Sequence, residues 1–288
     1  FTNIIDHIKM KRLLIILTAV LMPLMANAQA QINTKKIKIS DFTQKTTKIV
    51  LTGNEFYDVA LRNEIAAAWT LSHSEFCTLE EFEVLKFDDN FYFLITADGK
   101  FRKEETPGIV FLTLVKGGKG AGEGIQKMLE VVSVPIASTE NPSGREYTFM
   151  PAFIKIIQDY TEAAMNRDIN GYIGLLSYTE DFKESPNLQI MFTEGDLAPD
   201  IDRAFIDLNF DSDMTIASEV EADKAMLNNK PETVVSFVVT PNEPTKGSYC
   251  YKMLIHPESH KLYYFRKHRI STKYGCGFLQ EDINRINN

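Results

Sequence analysis

One order of predicted strands and helices occurs twice in this 288-residue chain, and this duplication constrains the fold more than any other feature. Runs rich in β-branched and aromatic residues predict strands, and apolar residues at a helical period predict helices. In the first half these segments are a strand at 48–53, a helix at 56–69, "SEFCT", a helix at 79–86, "FYFLITAD", "GIVFLTLVK" and "MLEVVSVPIAS". The first half therefore has the predicted order β-α-β-α-β-β-β.

The second half has the same predicted order. Its segments are "LQIMF", a helix in "DLAPDIDRAFI" with Asp196 as the N-cap, "MTIAS", a helix at 219–229, "TVVSFVVT", and a hairpin that turns at 256–259. A closing helix, "GFLQEDINRI", follows. Local pattern agrees as well, since "EFCTLEEFE" matches "MTIASEVEADK" and "FYFLITA" matches "VVSFVVT". The sequence predicts an α/β fold of two tandem β-α-β-α-β-β-β modules with mixed sheets.

A long amphipathic helix is predicted between the two modules, at 149–166. Pro151 lies in its first turn, where the missing N–H costs little. Its apolar stripe is predicted to pack against one module or between the two, and it consists of Phe149, Phe153, Ile156, Ile157, Tyr160 and Ala164. The predicted divisions of the chain are 1–28 (upstream residues and signal peptide), 29–45 (polar N-terminal segment), 46–140 (first module), 141–186 (linking helix and connector) and 187–288 (second module).

A secretory signal peptide is predicted from Met10 to about Ala28. Lys11 and Arg12 precede an apolar run at 13–24, and Ala26-Asn27-Ala28 has the small-x-small pattern of a cleavage site. The apolar run is shorter than the roughly 20 residues that span a bilayer. We therefore expect a periplasmic or secreted protein without stable membrane insertion after cleavage.

The charge balance argues against two classes of partner. The chain has a net charge of −8 at pH 7, and residues 1–28 carry three basic residues and one acidic residue, so cleavage takes the net charge to −10. Nucleic acids and anionic lipid surfaces both attract proteins through Lys and Arg. We expect neither as a partner.

The glycine-rich stretch "LTLVKGGKGAGEGIQKML" at 112–129 resembles a phosphate-binding loop at first sight. A dinucleotide fingerprint needs a third glycine where this chain has Glu123 or Ile125, and the segment that follows is a predicted strand instead of a helix. The loop is therefore predicted to connect two antiparallel strands. No cofactor is predicted.

An acidic segment is a weak candidate for a metal site. Its oxygen-bearing side chains have the 1, 3, 5, 7 spacing of a calcium loop, but Ser212 replaces the glycine at position 6 and Ser218 replaces the acid at position 12. The sequence favours a solvated acidic turn. The candidate ligands are Asp207, Asn209, Asp211 and Asp213.

A basic and aromatic strand near the C-terminus is the candidate interaction surface. It could bind a partner, or it could be an edge strand protected by charge. A transition-metal site at His256, His260 and His268 is a less specific alternative. The interaction candidates are Tyr263, Tyr264, Arg266, Lys267, His268 and Arg269.

The three cysteines of the mature chain do not form a disulfide framework or a zinc motif. Cys250 and Cys276 belong to one predicted module, so a bridge between them and a set of free buried thiols are both compatible with the sequence. A dyad of His73 and Cys77 has little support, and no standard catalytic motif occurs.

Each half resembles, in the order of its elements, the amino-terminal domain of TolB and the related periplasmic part of CsgG-type curli-secretion proteins. The resemblance covers 46–138 and 187–288 and includes "SEFCT", "LEEFEVLK", "FYFLITADG" and "IVFLTLVKG". It transfers no catalytic residue, and the chain lacks the β-propeller and the lipoprotein cysteine of those proteins. The whole chain also resembles uncharacterised exported proteins of Gram-negative anaerobes. These resemblances imply a periplasmic adaptor that binds other envelope proteins.

Three functional hypotheses follow from the sequence. The first is a non-enzymatic interaction protein that binds envelope proteins, for example by accepting a strand at a sheet edge. The second is a hydrolase of envelope or host glycans that uses paired carboxylates. The third is a module that binds a small molecule or a metal in a cleft between the halves.

Overall fold

The computed structural model describes residues 39–100, 104, 106–166, 188–211 and 213–287. The predicted signal peptide, most of the polar N-terminal segment and the connector at 167–186 lie outside the described residues. The described chain forms two five-stranded mixed sheets, which confirms the predicted α/β class. Among the described residues, none of the helices combines the length and the apolar character needed to cross a bilayer.

Sheet 1 contains the strands of the first module in the order β2-β1-β3-β4-β5. Strand β1 is parallel to β2 and β3, whereas β3, β4 and β5 form an antiparallel meander. The strands are β1 (Thr46–Val50), β2 (Ser74–Cys77), β3 (Phe91–Gly99), β4 (Ile109–Lys116) and β5 (Leu129–Ser138).

Sheet 2 has the same topology, with the order β7-β6-β8-β9-β10. Strand β6 is parallel to β7 and β8, and β8, β9 and β10 are antiparallel. The strands are β6 (Gln189–Thr193), β7 (Met214–Ala217), β8 (Thr233–Val239), β9 (Tyr249–Ile255) and β10 (Leu262–Arg269).

The helices also follow one plan, with two crossover helices and a final helix in each module. The first module has α1 (Glu55–Ala68), α2 (Leu79–Leu85), a single turn α3 (Arg145–Thr148) and α4 (Met150–Met165). The second has α5 (Arg203–Asn209), α6 (Glu219–Leu227) and α7 (Gln280–Asn287). Helices α4 and α7 are therefore counterparts.

The correspondence between the modules extends to single residues. Both β2 and β7 lead directly into a capping box, which Thr78 and Glu81 form in module 1 and Ser218 and Glu221 form in module 2. The last strand pair of each module has a β-bulge at the same place, and β4–β5 has a second register shift between Val110 and Phe111. Val115 faces Glu130 and Leu114 faces Val132, just as Ile255 faces Leu262 and Leu254 faces Tyr264. A bulge shared at one register position supports the predicted duplication.

The two sheets share one apolar core around α4. The predicted stripe of α4 is buried, and Ala152 and Ile154 outside that stripe are buried as well. The helix packs on α1 and β5 of sheet 1, while Phe149 and Phe153 contact Phe237 of sheet 2 with ring centroids 4.5 and 5.4 Å apart. Helix α4 therefore lies between the sheets. Helix α2 covers the other face of sheet 1, and α5 and α7 cover the other face of sheet 2.

Two local details complete the comparison with the sequence. The prediction that Asp196 caps a helix is wrong. Helix α5 begins at Arg203 and is capped by Asp202, whereas Asp196 ends a short 3-10 turn and is buried. The glycine-rich loop connects antiparallel β4 and β5, as predicted. In that loop Gly120 has φ of +89°, and a Cβ there would lie 2.0 Å from the carbonyl oxygen of Lys127, so only glycine fits.

Candidate functional site

The six candidate interaction residues on β10 all have contacts within the chain. Two of them contact helix α7, and a third contacts the turn between β9 and β10. Tyr264 donates a 2.6 Å hydrogen bond to Asp282, and Arg266 lies 3.5 Å from the same carboxylate. The ring of Tyr263 lies 5.8 Å from that of His256. These side chains are engaged internally.

The other three candidates lie at the far end of β10. Lys267 lies over the rings of Tyr249 and Tyr251 on β9, and Arg269 Nε donates a 2.9 Å hydrogen bond to the Tyr249 hydroxyl. The imidazole of His268 bonds to the Gly275 carbonyl at 2.7 Å, and burial lowers the pKa of His268. Most of the basic and aromatic side chains of β10 therefore make contacts within module 2.

The four candidate metal ligands do not form one loop. Asp207 and Asn209 lie in helix α5, where Asp207 pairs with Arg203 at 2.9 Å and the Asn209 amide donates to the Phe205 carbonyl. Asp211 and Asp213 follow the helix and are exposed. Within the described residues, no group of three His, Cys, Asp or Glu side chains is placed to hold a metal ion. The same holds for His256, His260 and His268, which do not form such a group.

A buried ionic network joins β9, β10 and α7. The ammonium of Lys252 pairs with Asp282, and both side chains are at most 1% exposed. Asp282 also accepts hydrogen bonds from the Tyr264 hydroxyl and from the backbone N–H of Leu279 at 2.8 Å. Burial and the neighbouring carboxylate raise the pKa of Tyr264. The network therefore holds α7 against β9 and β10.

A second buried network ties α3 to module 2. Arg145 is 5% exposed, and its guanidinium contacts Asp223 on α6 at 2.9 Å, Asp196 at 3.4 Å and the carbonyl of Ser236 on β8 at 3.2 Å. The Ser236 hydroxyl in turn donates to Asp196 at 2.6 Å. The planar guanidinium of Arg145 makes several charge-assisted hydrogen bonds, and these fix the orientation of α3 relative to module 2.

The large exposed apolar side chains are concentrated on equivalent elements of the two modules. In module 1 most of them lie on α1, on the edge strand β2 and on α2, whereas Phe87 and Tyr147 lie outside these elements. In module 2 they lie on α5, on the edge strand β7 and on α6. We call these two surfaces the apolar edges. The first consists of Phe56, Val59, Phe76, Leu79 and Val84, and the second of Leu208, Ile216, Val220 and Leu227.

Each apolar edge is built around a short strand at the end of its sheet. Strands β2 and β7 have four residues each, and within the described residues no strand pairs with their outer sides. Phe76 and Ile216 occupy the same position of these strands, and Arg62 of α1 stacks over the Phe76 ring at 4.5 Å. An outer strand edge next to exposed apolar side chains is a surface to which an extended segment can add.

Both apolar edges are acidic. The first has Lys48 paired with Glu75 and Lys86 paired with Glu83, and the second has the exposed Arg203–Asp207 pair. Carboxylates exceed cations at each edge, which favours a basic partner. The carboxylates are Glu75, Glu80, Glu81 and Glu83 at the first edge, and Asp207, Asp211, Asp213, Glu219 and Glu221 at the second.

A polar cleft lies where the two modules meet. Its volume is about 280 Å³, and it is lined by the β3–β4 connection, the end of β5 and the β8–β9 loop. The loop is attached to module 1 by a 3.1 Å hydrogen bond from Asn242 N–H to the Ser138 hydroxyl. The cleft presents three carboxylates and several hydroxyls, among them Glu104, Glu140, Glu243, Ser138, Thr139 and Thr245. Sequence reasoning did not select these residues, because they come from loops far apart in the chain.

The apolar edges were also missed at the sequence level. Phe76 belongs to the predicted strand "SEFCT" and Val59 to the helix predicted at 56–69. Their exposure could have been inferred only from the short length of "SEFCT" and "MTIAS", since short strands are typical of sheet edges. No match to the chain was found among protein-family models, curated proteins or solved structures.

Proposed function

We propose that this protein is an exported, non-enzymatic interaction protein of the cell envelope, and that a partner protein binds at its apolar edges. One observation carries the proposal. Both modules expose large apolar side chains on the same three elements, beside a sheet edge. Phe56 is 80% exposed and Leu208 is 84% exposed. These exposed side chains do not contribute to the core of either module, so their presence in both modules favours a role in binding.

The partner segment that fits these edges is an extended strand with apolar and basic residues. A four-residue edge strand offers only a few backbone hydrogen bonds, so apolar contact with Phe76 or Ile216 must supply much of the affinity. The acidic surroundings favour Lys or Arg in that segment and would repel an acidic one. The resemblance to TolB-type and CsgG-type modules supports the same kind of role.

The proposed binding can be tested with variants that place a charge on both edges. Phe76→Lys combined with Ile216→Lys should abolish stoichiometric co-purification of an envelope protein that wild type captures, because the ammonium cannot be buried beneath a partner strand. Tyr147→Lys is the matched control, since Tyr147 is 38% exposed and lies outside both edges. Circular dichroism and thermal unfolding must show that all variants fold.

Two results would count against binding at the apolar edges. One is the absence of any stoichiometric partner for wild type, and the other is equal capture by the double-lysine variant. Captured partners that lack a basic, apolar extended segment would contradict the inferred chemistry of the bound strand.

Export is the second part of the proposal, and Met10–Ala28 supports it. N-terminal sequencing of protein from fractionated cells should find Gln29 as the first residue, in the periplasmic or extracellular fraction. A cytoplasmic protein that keeps residues 10–28 would overturn this part.

A second candidate function is small-molecule binding in the cleft between the modules. The cleft volume and its three carboxylates favour ligands that carry amines or many hydroxyls. A shift in melting temperature with amines or oligosaccharides, lost in Glu140→Gln/Glu243→Gln, would support it. Release of reducing ends from an oligosaccharide would indicate the hydrolase alternative instead.

A further inference from the structure

The turn before α7 brings the backbone next to Cys276 into contact with the thiol of Cys250. The backbone N–H of Gly277 donates a hydrogen bond to Cys250 Sγ at 3.2 Å. Gly277 directly follows Cys276, and a Cα lies about 2.4 Å from the next backbone nitrogen. The Cα of Cys276 is therefore at most about 5.6 Å from the Cys250 sulfur. The backbone at Cys276 is therefore within reach of the Cys250 sulfur, and a bridge would bring the two Cα atoms to about 4.4–6.8 Å.

The side chain of Cys276 lies at the same end of the sheet as Cys250. Its sulfur is 3.5 Å from the hydroxyl of Thr240, which directly follows β8. Strands β8 and β9 pair Val239 with Tyr251, so Thr240 and Cys250 are the next residues on adjacent strands. A bridge to Cys250 requires the Cys276 side chain to rotate away from Thr240.

We propose that Cys250 and Cys276 form an intramolecular disulfide when the protein meets a small disulfide oxidant such as oxidised glutathione. Cys276 attacks the oxidant as a thiolate, which forms a mixed disulfide and releases one glutathione thiol. Cys250 then loses its proton and attacks the Cys276 sulfur, and the second glutathione leaves as a thiol. The two cysteines lose two electrons and two protons, and the oxidant gains them.

Exposure sets the order of these two steps. Cys276 is partly exposed, whereas Cys250 is fully buried. Burial raises the pKa of Cys250 to about 12. The second step therefore depends on a thiolate that is scarce at neutral pH, and closure of the bridge should speed up as the pH rises.

Module 1 supplies the matched control within the same chain. Cys77 is buried beside the Phe82 and Phe93 side chains, on the far side of sheet 1 from module 2. Burial raises the pKa of Cys77 to about 11. Oxidation should therefore leave Cys77 as a thiol, so that the bridge distinguishes the two modules.

The experiment treats purified mature protein with oxidised glutathione at pH 8 and counts thiols after denaturation. Wild type should fall from three titratable thiols to one, and non-reducing peptide mapping should yield one linked pair that contains residues 250 and 276. Cys77→Ala should form the same bridge. Cys276→Ser, in which a partly exposed residue changes and folding is checked by circular dichroism, should form none. The melting temperature of wild type should rise by several degrees on oxidation.

Three outcomes would overturn the proposal. The first is retention of three thiols in folded wild type after prolonged oxidation. The second is a linked pair that includes Cys77. The third is a glutathione adduct on Cys276 that persists at pH 9, since this would show that Cys250 cannot reach the Cys276 sulfur. None of these results depends on where the protein acts or on what it binds.

Discussion

The final helices of the two modules occupy the same place in the fold but contact their sheets through different chemistry. Helix α4 shares an apolar cluster with Leu112, Leu114, Val132 and Val134 of sheet 1. Helix α7 meets Lys252, Leu254, Tyr264 and Arg266 at the equivalent positions of sheet 2, and Asp282 satisfies the polar members of that set. The two modules share one topology, but the contact between the final helix and the sheet is apolar in module 1 and largely ionic in module 2.

The physical setting of each helix explains the difference. Helix α4 has 16 residues and is buried by both sheets, so its position is determined mainly by apolar packing. Helix α7 has eight residues, of which three are buried, and offers little apolar area. A buried ion pair adds little net stability, but it penalises every arrangement that separates the charges. We infer that Lys252 and Asp282 specify the position of a helix too short to be positioned by packing alone.

The largest expected effect comes from breaking this ion pair. Asp282→Ala should lower the free energy of unfolding by about 3–5 kcal/mol, because it leaves the Lys252 ammonium buried without a counter-charge. Urea unfolding followed by circular dichroism measures the change. Lys252→Leu/Asp282→Asn places the module 1 residue at 252, keeps an acceptor oxygen for the Leu279 N–H and lets the amide N–H donate to the Tyr264 hydroxyl, so it should cost clearly less than Asp282→Ala. Equal losses for the two variants would contradict the role inferred for the pair.

An intermediate effect is expected at the shared β-bulge, where module 1 has Glu130 and module 2 has Leu262. Burial raises the pKa of Glu130 to about 7, above its ordinary value of 4.5. The folded protein therefore holds this proton more tightly than the unfolded chain. The resulting stabilisation is complete below pH 4.5 and is lost as the pH rises through 7.

Replacing Glu130 tests this pH dependence directly. Glu130→Gln cannot ionise, so relative to wild type it should gain on the order of 2 kcal/mol in unfolding free energy between pH 4.5 and pH 8. Unfolding in urea at the two pH values measures the gain. The control is Glu140→Gln, which removes a carboxylate from an exposed position. A difference between Glu130→Gln and wild type that does not change with pH would show that folding does not raise the pKa of Glu130.

The smallest effect concerns the two capping boxes. Thr78→Ala and Ser218→Ala should each cost about 1 kcal/mol, because each leaves a backbone N–H at the start of α2 or α6 without its acceptor. Equal decreases in unfolding free energy would show that the two capping boxes contribute equally to the stability of their modules. If one variant proved neutral, the two helix starts would not be energetic counterparts, despite their shared geometry.

Much of the fold was predictable from local pattern. The β-branched and aromatic residues of "FYFLITAD" and "TVVSFVVT" and the helical period around Phe153 are local patterns, and the structure places strands and a helix there. The start of α5 was mispredicted because Asp196 and Asp202 are both suitable N-caps, and the choice depends on Ser236 and Arg145, which are distant in sequence.

The candidate site was less predictable than the fold. The β10 residues were selected for their composition, which does not reveal that Tyr264 and Arg266 contact Asp282 or that Lys267 lies over Tyr251. The apolar edges depend on which strands lie at the ends of the sheets, and the segments "SEFCT" and "MTIAS" do not reveal their place in the strand order. The signal peptide and the resemblance to envelope modules stay predictions.

The sequence by itself determined the alternation of strands and helices, the repeated order of the two modules and the position of the long helix, since hydrophobic period and capping act over a few residues. Only the tertiary structure decided that α4 lies between the sheets, that Lys252 meets Asp282, that Cys276 approaches Cys250, and that Phe76 and Ile216 stay exposed. Such contacts join residues far apart in the chain, and their free energy depends on which surfaces exclude water together, which no local pattern encodes.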